Sequence, residues 1–498
     1  MTSHRIQKLV IVGGGTAGWI SASLLMKMLG KAIQITLVES EDIGIVGVGE
    51  ATIPPIMNFN MALGIDETEF LRETKGSIKL GIQFENWGQL GDSYMHAFGT
   101  IGKEFPSCSF HHFWLRSQQA GMGFDFWDFS LAYQAAKKNK FAKLGRIEGV
   151  NLPGLSYAYH FDAGLYARYL RRYSENLGVK RIEGKVEQVQ LNPDNGDVQS
   201  LQLENGQQVQ GDLFLDCTGL HSLLIEKTLN TGFEDWSHWL PADSAMAVPC
   251  ESVQPVTPYT RSIAHAKGWQ WRIPLQHRIG NGFVYSSKYC SDEEARATLM
   301  NNLDGAALAE PRIIRFKTGR RLKQWNRNVI SIGLSSGFLE PLESTSIHLI
   351  QSGVLRLLKF FPNHGICPVE RDEYNRQSKI EFEQIRDFVI LHYKLNQRGD
   401  SQYWKDCQRM EIPESLQRKI AVFANSGRVF REQDELFAEV AWQQVLIGQG
   451  MIPDDYHPLV NALTEPQLQE LLEQLKAIMT MTSDKLGSHD AFLRTVSN

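Results

Sequence analysis

The sequence is poor in cysteine, and its cysteines form no CxxC pair. The six cysteines are scattered through 498 residues, at Cys108, Cys217, Cys250, Cys290, Cys367 and Cys407. This spacing excludes a disulfide framework and the common zinc motifs, and it suits a reducing compartment. His111-His112 has no partner at a metal-binding spacing. We therefore assign no metal and expect a cytoplasmic protein.

The sequence also lacks a strong excess of either charge. It has 51 Lys and Arg residues against 56 Asp and Glu residues, a formal net charge of −5. This balance gives no reason to expect nucleic acid or an anionic membrane as a partner. The fractions of hydrophobic residues (42%) and charged residues (21%) are those of a folded globular protein.

One long uncharged run, Leu9–Met26, lies behind the basic residues Arg5 and Lys8. It could be a signal peptide or a membrane segment. Four glycines dilute its apolar character, however, and a strand at Lys8–Val12 followed by a helix at Ala17–Leu29 accounts for the whole run. With a second strand at Gln34–Val38, the chain opens as a βαβ unit, so no membrane partner is expected.

The turn of this βαβ unit fits the dinucleotide-binding pattern GxGxxG. Glycines permit the tight turn and let a pyrophosphate approach the start of the helix. An acid, Glu39, follows the last glycine by 21 residues, near the spacing expected for a group that binds a ribose hydroxyl. The predicted nucleotide-binding residues here are Gly13, Gly15, Thr16, Ala17, Gly18 and Glu39.

The motif alone leaves FAD and NAD open. Two further strands, Leu213–Leu215 and Val329–Ile332, end in small-residue loops that begin at Asp216 and Gly333. A site built from three distant loops suits the long FAD molecule, because open α/β sheets bind ligands at the carboxyl ends of their strands. No second GxGxxG is present for a nicotinamide nucleotide, so we favour FAD.

The remaining patterns give the outline of the fold. A helix is predicted at Tyr166–Leu177, and two Asn-Gly turns, at Asn195 and Asn205, predict an antiparallel meander. Beyond about residue 346 the pattern is mostly helical. Thr464 and Gln467 form a capping box that predicts the start of one of these helices.

Several segments together resemble the flavin-dependent halogenases of the tryptophan halogenase family. They are Gly13–Trp19 (GGGTAGW), Gly47–Pro54 (VGEATIP), Phe70–Gly81, Asp216–Gly219, the WxWxIP sequence in Gly268–Pro274, and Phe338–Thr345, which contains EPLEST. The resemblance implies an α/β fold with an FAD-binding, Rossmann-like module of the flavin monooxygenase type, which includes the meander, and a mostly helical C-terminal region. We place this module at 1–345, with a substrate-side segment at about 85–150, and the helical substrate-side region at 346–498.

The resemblance also implies a mechanism. Reduced FAD and O2 form a hydroperoxide, which oxidises chloride or bromide to hypohalous acid, and Lys79 holds that acid as a haloamine or by a hydrogen bond. An aromatic carbon then attacks the halogen, while Glu343 polarises the oxidant or helps to stabilise or deprotonate the cationic intermediate. By the same match, Ala51 and Leu342 contact the flavin, and the backbone N–H groups of Thr345 and Ser346 bind the halide.

Four aromatic residues complete the implied site. Trp269 and Trp271 of WxWxIP would wall the flavin from the substrate, and His96 and Phe98 would line an indole pocket. Taken without the resemblance, each has an ordinary structural explanation, as a core aromatic residue or a structural histidine. Lys79 would likewise be a solvated residue, because Leu80, Ile82 and Phe84 alternate with polar or small residues as on a half-exposed strand.

Two departures from the family bear on the substrate. Ser346 stands where many tryptophan halogenases carry glycine, which changes the halide pocket. The segment Phe437–Val445 lacks the paired tyrosines with which those enzymes hold the amino-acid backbone of tryptophan. Indole, an indole derivative, and a larger compound that contains tryptophan or a phenol are therefore all open as substrates.

We expect FADH2- and O2-dependent halogenation of an electron-rich aromatic compound, with an indole first among the candidates. A separate NADH-dependent flavin reductase would supply FADH2, and the sequence allows a homodimer. A flavin-dependent aromatic monooxygenase is the alternative enzyme, and a flavin-binding scaffold or sensor is the alternative from another class. Lys79 and WxWxIP favour the halogenase, since a hydroxylase has no chemical need for either.

Overall fold

The computed structural model describes residues 5–43 and 49–497. Of the VGEATIP segment, Gly47 and Val48 lie outside the described residues. The strands, in chain order, are β1 Lys8–Val12, β2 Gln34–Glu39, β3 Glu50–Ala51, β4 Ser77–Lys79, β5 Gly81–Glu85, β6 Ser93–Ala97, β7 Ala158–Phe161, β8 Lys180–Glu183, β9 Val186–Leu191, β10 Val198–Leu203, β11 Gln208–Gln210, β12 Leu213–Asp216, β13 Phe233–Asp235, β14 Ser244–Glu251, β15 Thr260–His265, β16 Gly268–Pro274, β17 Arg278–Tyr285, β18 Arg312–Arg315, β19 Gly319–Arg321, β20 Trp325–Asn326, β21 Val329–Ser331 and β22 Gly337–Phe338.

The helices occupy most of the chain beyond residue 345, as the sequence predicts. They are α1 Thr16–Leu29, α2 Pro55–Leu63, α3 Glu67–Glu73, α4 His111–Gln119, α5 Leu131–Lys137, α6 Ala163–Leu177, α7 Asp292–Asn301, α8 Ser346–Lys359, α9 Pro368–Lys394, α10 Gln402–Arg409, α11 Glu414–Ser426, α12 Glu439–Gly448, α13 Glu465–Lys485 and α14 His489–Ser497.

The chain forms two compact units, and each is assembled from three separated segments. Unit 1 comprises residues 1–75, 161–243 and 315–383, and unit 2 comprises residues 76–160, 244–314 and 384–498. This arrangement differs from the linear division at residue 345, because strands far apart in sequence pair within each unit. The functional division at residue 345 stays a prediction.

Unit 1 is built on a six-stranded sheet in the order β20-β21-β12-β1-β2-β8. Strand β1 pairs in parallel with both β12 and β2, which makes the predicted βαβ unit the centre of the sheet. Helix α1 contacts β1 and β2 of this sheet, and it also contacts α6 and α8. Helix α1 is apolar on all sides because it is covered on all sides, and this explains the uncharged run Leu9–Met26.

The predicted meander is confirmed. Strands β9, β10 and β11 pair antiparallel, and the glycines of the two Asn-Gly turns, Gly196 and Gly206, have φ of +71° and +81°. The predicted helix at Tyr166–Leu177 begins earlier, at Ala163. The side chain of Asp162 caps it by accepting a hydrogen bond of 3.0 Å from Leu165 N.

Unit 2 is built on a seven-stranded sheet in the order β18-β14-β17-β16-β15-β5-β6. The WxWxIP sequence forms β16 in the middle of this sheet, paired antiparallel with β15 and β17. Helix α12 covers β6 at one edge of the sheet, and α13 contacts α4 and α5. No helix in the described part of the chain is long and apolar enough to cross a membrane.

The capping box of α13 gives a test of local stability. Gln467 N donates to Thr464 Oγ1 at 3.4 Å, and Thr464 N donates to Gln467 Oε1 at 2.9 Å. Thr464→Ala should lower the free energy of unfolding by about 1 kcal/mol, because it leaves a helix N–H without its acceptor. Denaturant titration followed by circular dichroism measures this change. The control is Thr482→Ala in the last turn of α13, which should be neutral or stabilising since alanine is the better helix former. Equal losses for the two variants would contradict a contribution from the cap.

Candidate active site

The glycine-rich turn brings β1 and β12 into close contact. Gly13 has φ of +110°, and a Cβ added there would lie 2.3 Å from the carbonyl oxygen of Cys217. A Cβ on Gly18 would lie 1.9 Å from the carbonyl oxygen of Gly13. These two glycines are therefore required by the turn itself, whether or not a ligand is bound.

Gly15 differs from both, because a Cβ added there would meet nothing within 4 Å. It is the N-cap residue of α1, where no side chain caps the helix and the first turn holds no acidic residue. Open space beside Gly15 thus adjoins the start of α1, where the N–H groups of the first turn and the positive end of the helix dipole are found. The pyrophosphate of FAD fits this cradle, which Thr16 and Ala17 continue.

Glu39 lies over the turn. Its Oε1 accepts a hydrogen bond from Arg181 Nε at 2.5 Å, and its Oε2 accepts one from Trp19 Nε1 at 3.3 Å. A Cβ on Gly14 would lie only 1.4 Å from Glu39 Oε2. The carboxylate is therefore held beside the turn, where a ribose hydroxyl would be bound. The sequence did not indicate Arg181, which lies on a strand that pairs with β2 only in the folded chain.

Asp216 organises the second loop through its side chain. Its carboxylate oxygens accept four hydrogen bonds from the loop that follows: from Thr218 N at 3.0 Å, Thr218 Oγ1 at 2.6 Å, Leu224 N at 2.8 Å and Ile225 N at 2.8 Å. Asp216 itself is fully buried. Any contribution of Asp216 to flavin binding would thus come from the loop that it holds in place.

The third loop packs directly against the other two. Ser335 Oγ donates to the carbonyl oxygen of Asp216, and Ile332 N donates to the same atom at 3.0 Å. Gly333 has φ of +76°, and a Cβ on it would lie 2.8 Å from the Cβ of Ala17. Unit 1 thus brings together the three loops that the sequence predicted for FAD.

The EPLEST segment ends in a buried turn at the start of α8. Leu342, Glu343 and Thr345 are each at most 2% exposed, whereas Ser346 is half-buried. Thr345 is the N-cap residue of α8, and no side-chain hydrogen bond caps this helix. The N–H groups at the start of a 14-residue helix therefore offer a site for a small anion such as a halide.

The β3 segment contains a carboxyl group that the sequence did not single out. Ala51 is 7% exposed. Burial raises the pKa of its neighbour Glu50 to about 7, so this side chain can gain or lose a proton near neutral pH. The only signal in the sequence was its place in the VGEATIP segment.

Lys79 lies in unit 2 and is fully buried, which corrects the solvated interpretation of this residue. The alternation at Leu80, Ile82 and Phe84 does not produce a half-exposed strand, because both faces of β4 and nearly all of β5 are covered. The Nζ atom of Lys79 lies 5.3 Å from the centroid of the Phe98 ring, a cation–π distance.

His96 and Phe98 flank Ala97 at the end of β6, with their rings 6.4 Å apart. Gln444 of α12 fixes this segment, because its Oε1 accepts from Ala97 N at 2.9 Å and its Nε2 donates to Ala97 O at 3.0 Å. Phe98 N donates to Leu80 O at 2.8 Å, which ties the same segment to the residue after Lys79. In the sequence, the only indication of this clamp, the pair of hydrogen bonds between Gln444 and Ala97, is a polar amide within a largely apolar helix.

The two tryptophans of WxWxIP lie on one face of β16, with ring centroids 6.1 Å apart. Trp271 covers the backbone of β17, since a Cβ on Gly282 would lie 2.0 Å from its Cζ2 atom. Trp269 contacts Trp87, at 6.2 Å between ring centroids. Both indoles are thus held rigidly in a buried aromatic wall.

The predicted residues fall into two groups. Unit 1 holds the nucleotide-binding glycines with Glu39, the two further loops, Glu343 and the start of α8. Unit 2 holds Lys79, His96, Phe98 and the tryptophan pair. In unit 1 the two further loops follow β12 and β21, as predicted, whereas in unit 2 the members lie on or next to β4, β6 and β16.

Comparison with known proteins identifies the family to which this chain belongs. The flavin-dependent halogenase Xcc4156 from Xanthomonas campestris superposes with a TM-score of 0.96 at 49% identity, and 99% of each chain is covered. BrvH, a flavin-dependent halogenase from Brevundimonas sp. BAL3, also has a TM-score of 0.96, at 42% identity over 99% of this chain and 100% of that chain. Tryptophan 7-halogenase RebH from Lentzea aerocolonigenes is 34% identical over 95% of this chain and 94% of its own length.

The protein is therefore a flavin-dependent halogenase, an oxidoreductase that uses FADH2 with halide and O2 as co-substrates. Within this class the chain belongs to the family described as tryptophan halogenase, which matches residues 8–465. Enzymes of this class generally depend on a separate flavin reductase and act on small aromatic substrates. The resemblance and the cofactor predicted from the sequence are confirmed.

The difference between Gly13 and Gly15 gives a test of the nucleotide site. Gly15→Val should leave the melting temperature near that of the wild type, because a Cβ at this position meets no protein atom within 4 Å. It should raise the Kd for FAD by about tenfold or more, a loss of at least about 1.4 kcal/mol, because the side chain would occupy the pyrophosphate space. Equilibrium dialysis measures the Kd.

Two further glycines serve as comparisons for this test. Gly13→Val should destabilise the fold, since valine fits neither φ of +110° nor the contact with Cys217. Gly399→Val, at another open glycine, should change neither the stability nor the Kd. Unchanged FAD affinity in Gly15→Val would show that the pyrophosphate does not bind at the start of α1.

Proposed function

We propose that the enzyme halogenates an electron-rich aromatic compound, with indole or a tryptophan-like compound as the first candidate, through an oxidant held by Lys79. The observation that carries this proposal is the complete burial of Lys79 beside the Phe98 ring. An amine on an ordinary structural strand would be exposed to solvent, because burying its charge is costly. A buried amine beside an aromatic ring suits a group that must react with an oxidant out of water.

The chemistry that reduced FAD supplies when bound is the oxidation of a halide ion by O2 to hypohalous acid. The halide would be held by N–H groups at the start of α8, around Thr345 and Ser346. The cradle at Gly15 would hold the pyrophosphate, while Glu39 would orient the ribose and Ala51 and Leu342 would contact the flavin. Trp269 and Trp271 would keep the aromatic substrate away from the flavin. Hypohalous acid alone would then reach the substrate, and direct oxygen transfer would be prevented.

Lys79 would then present the halogen to the substrate. Either its amine forms an N–X bond with release of water, or its ammonium group donates a hydrogen bond to the oxygen of hypohalous acid. In both cases the ring carbon forms a C–X bond while the bond from X to nitrogen or oxygen breaks, and the ring then loses a proton. Burial of this amine away from solvent would limit the escape of the oxidant.

Glu343 would support this substitution by polarising the oxidant, or by stabilising or deprotonating the cationic ring. Its burial, at 1% exposure, supports such a role, because an electrostatic contribution is larger where water is excluded. His96 and Phe98 would stack on the aromatic substrate. The absence of paired tyrosines in Phe437–Val445 supports a substrate without the amino-acid backbone of free tryptophan.

The location of the enzyme and its source of FADH2 are also part of the proposal. A cytoplasmic location is supported by the cysteines, which are all free. The reductase would be NADH-dependent and would deliver FADH2 by diffusion. A homodimer, the absence of nucleic-acid and membrane partners, and the functional division at residue 345 stay predictions.

Mass spectrometry of turnover mixtures tests the proposal. Purified protein receives FAD, a flavin reductase, NADH, air, and a pool of indoles and phenols including tryptophan, with bromide and chloride in separate reactions. We expect a monohalogenated indole with the isotope pattern of the halide supplied. A product that is heavier by one oxygen regardless of halide would instead support the monooxygenase.

Lys79→Met, which keeps the side-chain volume, should abolish the halogenated product while NADH-dependent oxygen consumption continues. The control is Lys137→Met, at an exposed lysine that also lies near an aromatic ring in unit 2, at 5.7 Å from the Tyr133 centroid. This control should keep the product yield. Regioselective product from Lys79→Met would exclude Lys79 as the holder of the oxidant.

Glu343→Gln should lower the rate of halogenation by about a hundredfold, the scale of a lost acid–base or electrostatic group. Glu340→Gln, at a fully buried glutamate three residues earlier, is the control and should have a much smaller effect. Single-turnover kinetics with preloaded FADH2 measures both rates, and FAD affinity is checked in each variant. Equal rates in Glu343→Gln and the wild type would remove Glu343 from the mechanism.

A further inference from the structure

Two buried histidines outside the site described above hold β4, the strand that carries Lys79. Strand β4 pairs antiparallel with β7, with Ser77 opposite His160 and Lys79 opposite Ala158. Since side chains alternate along a strand, Ser77 and Lys79 lie on one face, and His160 projects to the same face from the neighbouring strand. Ser77, Lys79 and His160 are all fully buried.

The hydrogen bonds around Ser77 determine which nitrogen of His160 carries the proton. Ser77 Oγ lies 2.6 Å from the carbonyl oxygen of Pro274, which can only accept, so the serine hydroxyl donates there. The 3.0 Å contact between His160 Nδ1 and Ser77 Oγ must then be a hydrogen bond donated by Nδ1–H. His160 Nε2, at 2.9 Å from Thr260 Oγ1, accepts from the threonine hydroxyl.

This chain of hydrogen bonds ends on the WxWxIP strand. Pro274 is the last residue of β16, the strand that carries Trp269 and Trp271. The hydrogen bonds thus connect four strands, β15, β7, β4 and β16. They run through the side chains of Thr260, His160 and Ser77 to the backbone carbonyl of Pro274, and each donor has an acceptor. A fully matched buried network fixes one relative position of its strands, because any displacement leaves a buried polar group unsatisfied.

The second histidine acts on the residue between Ser77 and Lys79. His489 Nε2 accepts from Ile78 N at 3.2 Å, so its Nδ1–H donates to the carbonyl oxygen of Val256 at 2.7 Å. Strand β4 is therefore held along one edge by β7 and at its other edge by an imidazole from α14. His489 is also fully buried.

Both imidazoles are neutral in the folded protein. Burial lowers the pKa of His160 well below its usual value, and the positive charge of Lys79 lowers it further. Burial lowers the pKa of His489 to about 4, against smaller opposing effects of Val256 and Asp490. Below a pH of about 6.5 the unfolded chain would bind protons at these residues that the folded chain does not, so stability falls as the pH falls.

We propose that His160 is a positioning residue for Lys79. Acting through Ser77 as the Nδ1–H tautomer, it fixes β4 against the end of β16 and so sets the position of the Lys79 amine relative to the tryptophan wall. This inference rests on the proposed role of Lys79 as the group that holds the oxidant. A lysine displaced from that position would let hypohalous acid escape before it reaches the substrate.

The test measures how NADH consumption divides between halogenated substrate and free hypohalous acid, which an added scavenger traps. His160→Phe keeps a ring of similar size but loses both hydrogen bonds. It should lower the yield of halogenated indole per NADH by about tenfold or more, since small displacements of a reacting group have effects of that size. The trapped hypohalous acid should rise correspondingly.

Three variants separate positioning from general stability. His160→Asn can restore the N–H donor to Ser77 and should recover most of the yield. His111→Phe removes a buried histidine on α4 that bonds to Gly427 O, away from β4, and should leave the division unchanged even if the melting temperature falls. Ser77→Ala breaks the same series of hydrogen bonds at Ser77 and should lower the yield as His160→Phe does. It therefore also tests the proposal if His160→Phe does not fold.

Nitrogen-15 NMR of histidine-labelled protein provides a readout independent of activity. The His160 resonances of the wild-type protein are identified by their absence in His160→Asn. At pH 7 they should show a protonated Nδ1 and an unprotonated Nε2. A protonated Nε2, or wild-type division of hypohalous acid in both His160→Phe and Ser77→Ala, would overturn the proposal. Failure of the wild-type enzyme to halogenate any substrate, with the NMR result as expected, would instead count against the proposed function.

Discussion

The burial of one amine, that of Lys79, constrains the residues around it in unit 2. Lys79 has no exposed surface, and burying an amine is unfavourable unless its surroundings compensate. The Phe98 ring provides the negative face of an aromatic quadrupole, and the neighbouring imidazoles add no further positive charge because they are neutral. Gln444 holds the segment of Phe98, and His489 and His160 hold the strand of Lys79. The polar groups of this region are thus arranged around a single side chain.

In unit 1, two helix starts without side-chain caps lie beside the predicted binding loops. Both α1 and α8 begin without a side-chain cap, and both follow turns with residues of positive φ, at Gly13 and Ser344. An uncapped helix start is a ready site for an anion. The enzyme binds two kinds of anion, a pyrophosphate and a halide, and we propose that the same physical feature serves both.

Much of the fold was predictable because its signals are local. The turn at Gly13–Gly18, the two Asn-Gly hairpins and the capping box at Thr464 each act within a few residues, and the structure contains all of them. The family resemblance identified Lys79, although the local alternation around it indicated exposure. Its burial depends on contacts such as that between Ile78 and His489, which are 411 residues apart. Patterns of period two cannot show that both faces of a strand will be covered.

The clamp of Gln444 on Ala97 also affects how the protein behaves toward other copies of itself. Strand β6 ends the seven-stranded sheet, and an open strand edge is a template for pairing with another chain. The amide of Gln444 occupies both the N–H and the C=O of Ala97, as a further strand would do. One glutamine side chain thus closes this part of the sheet edge. Redesign of α12 for larger substrates would weaken a barrier to aggregation unless this amide is kept.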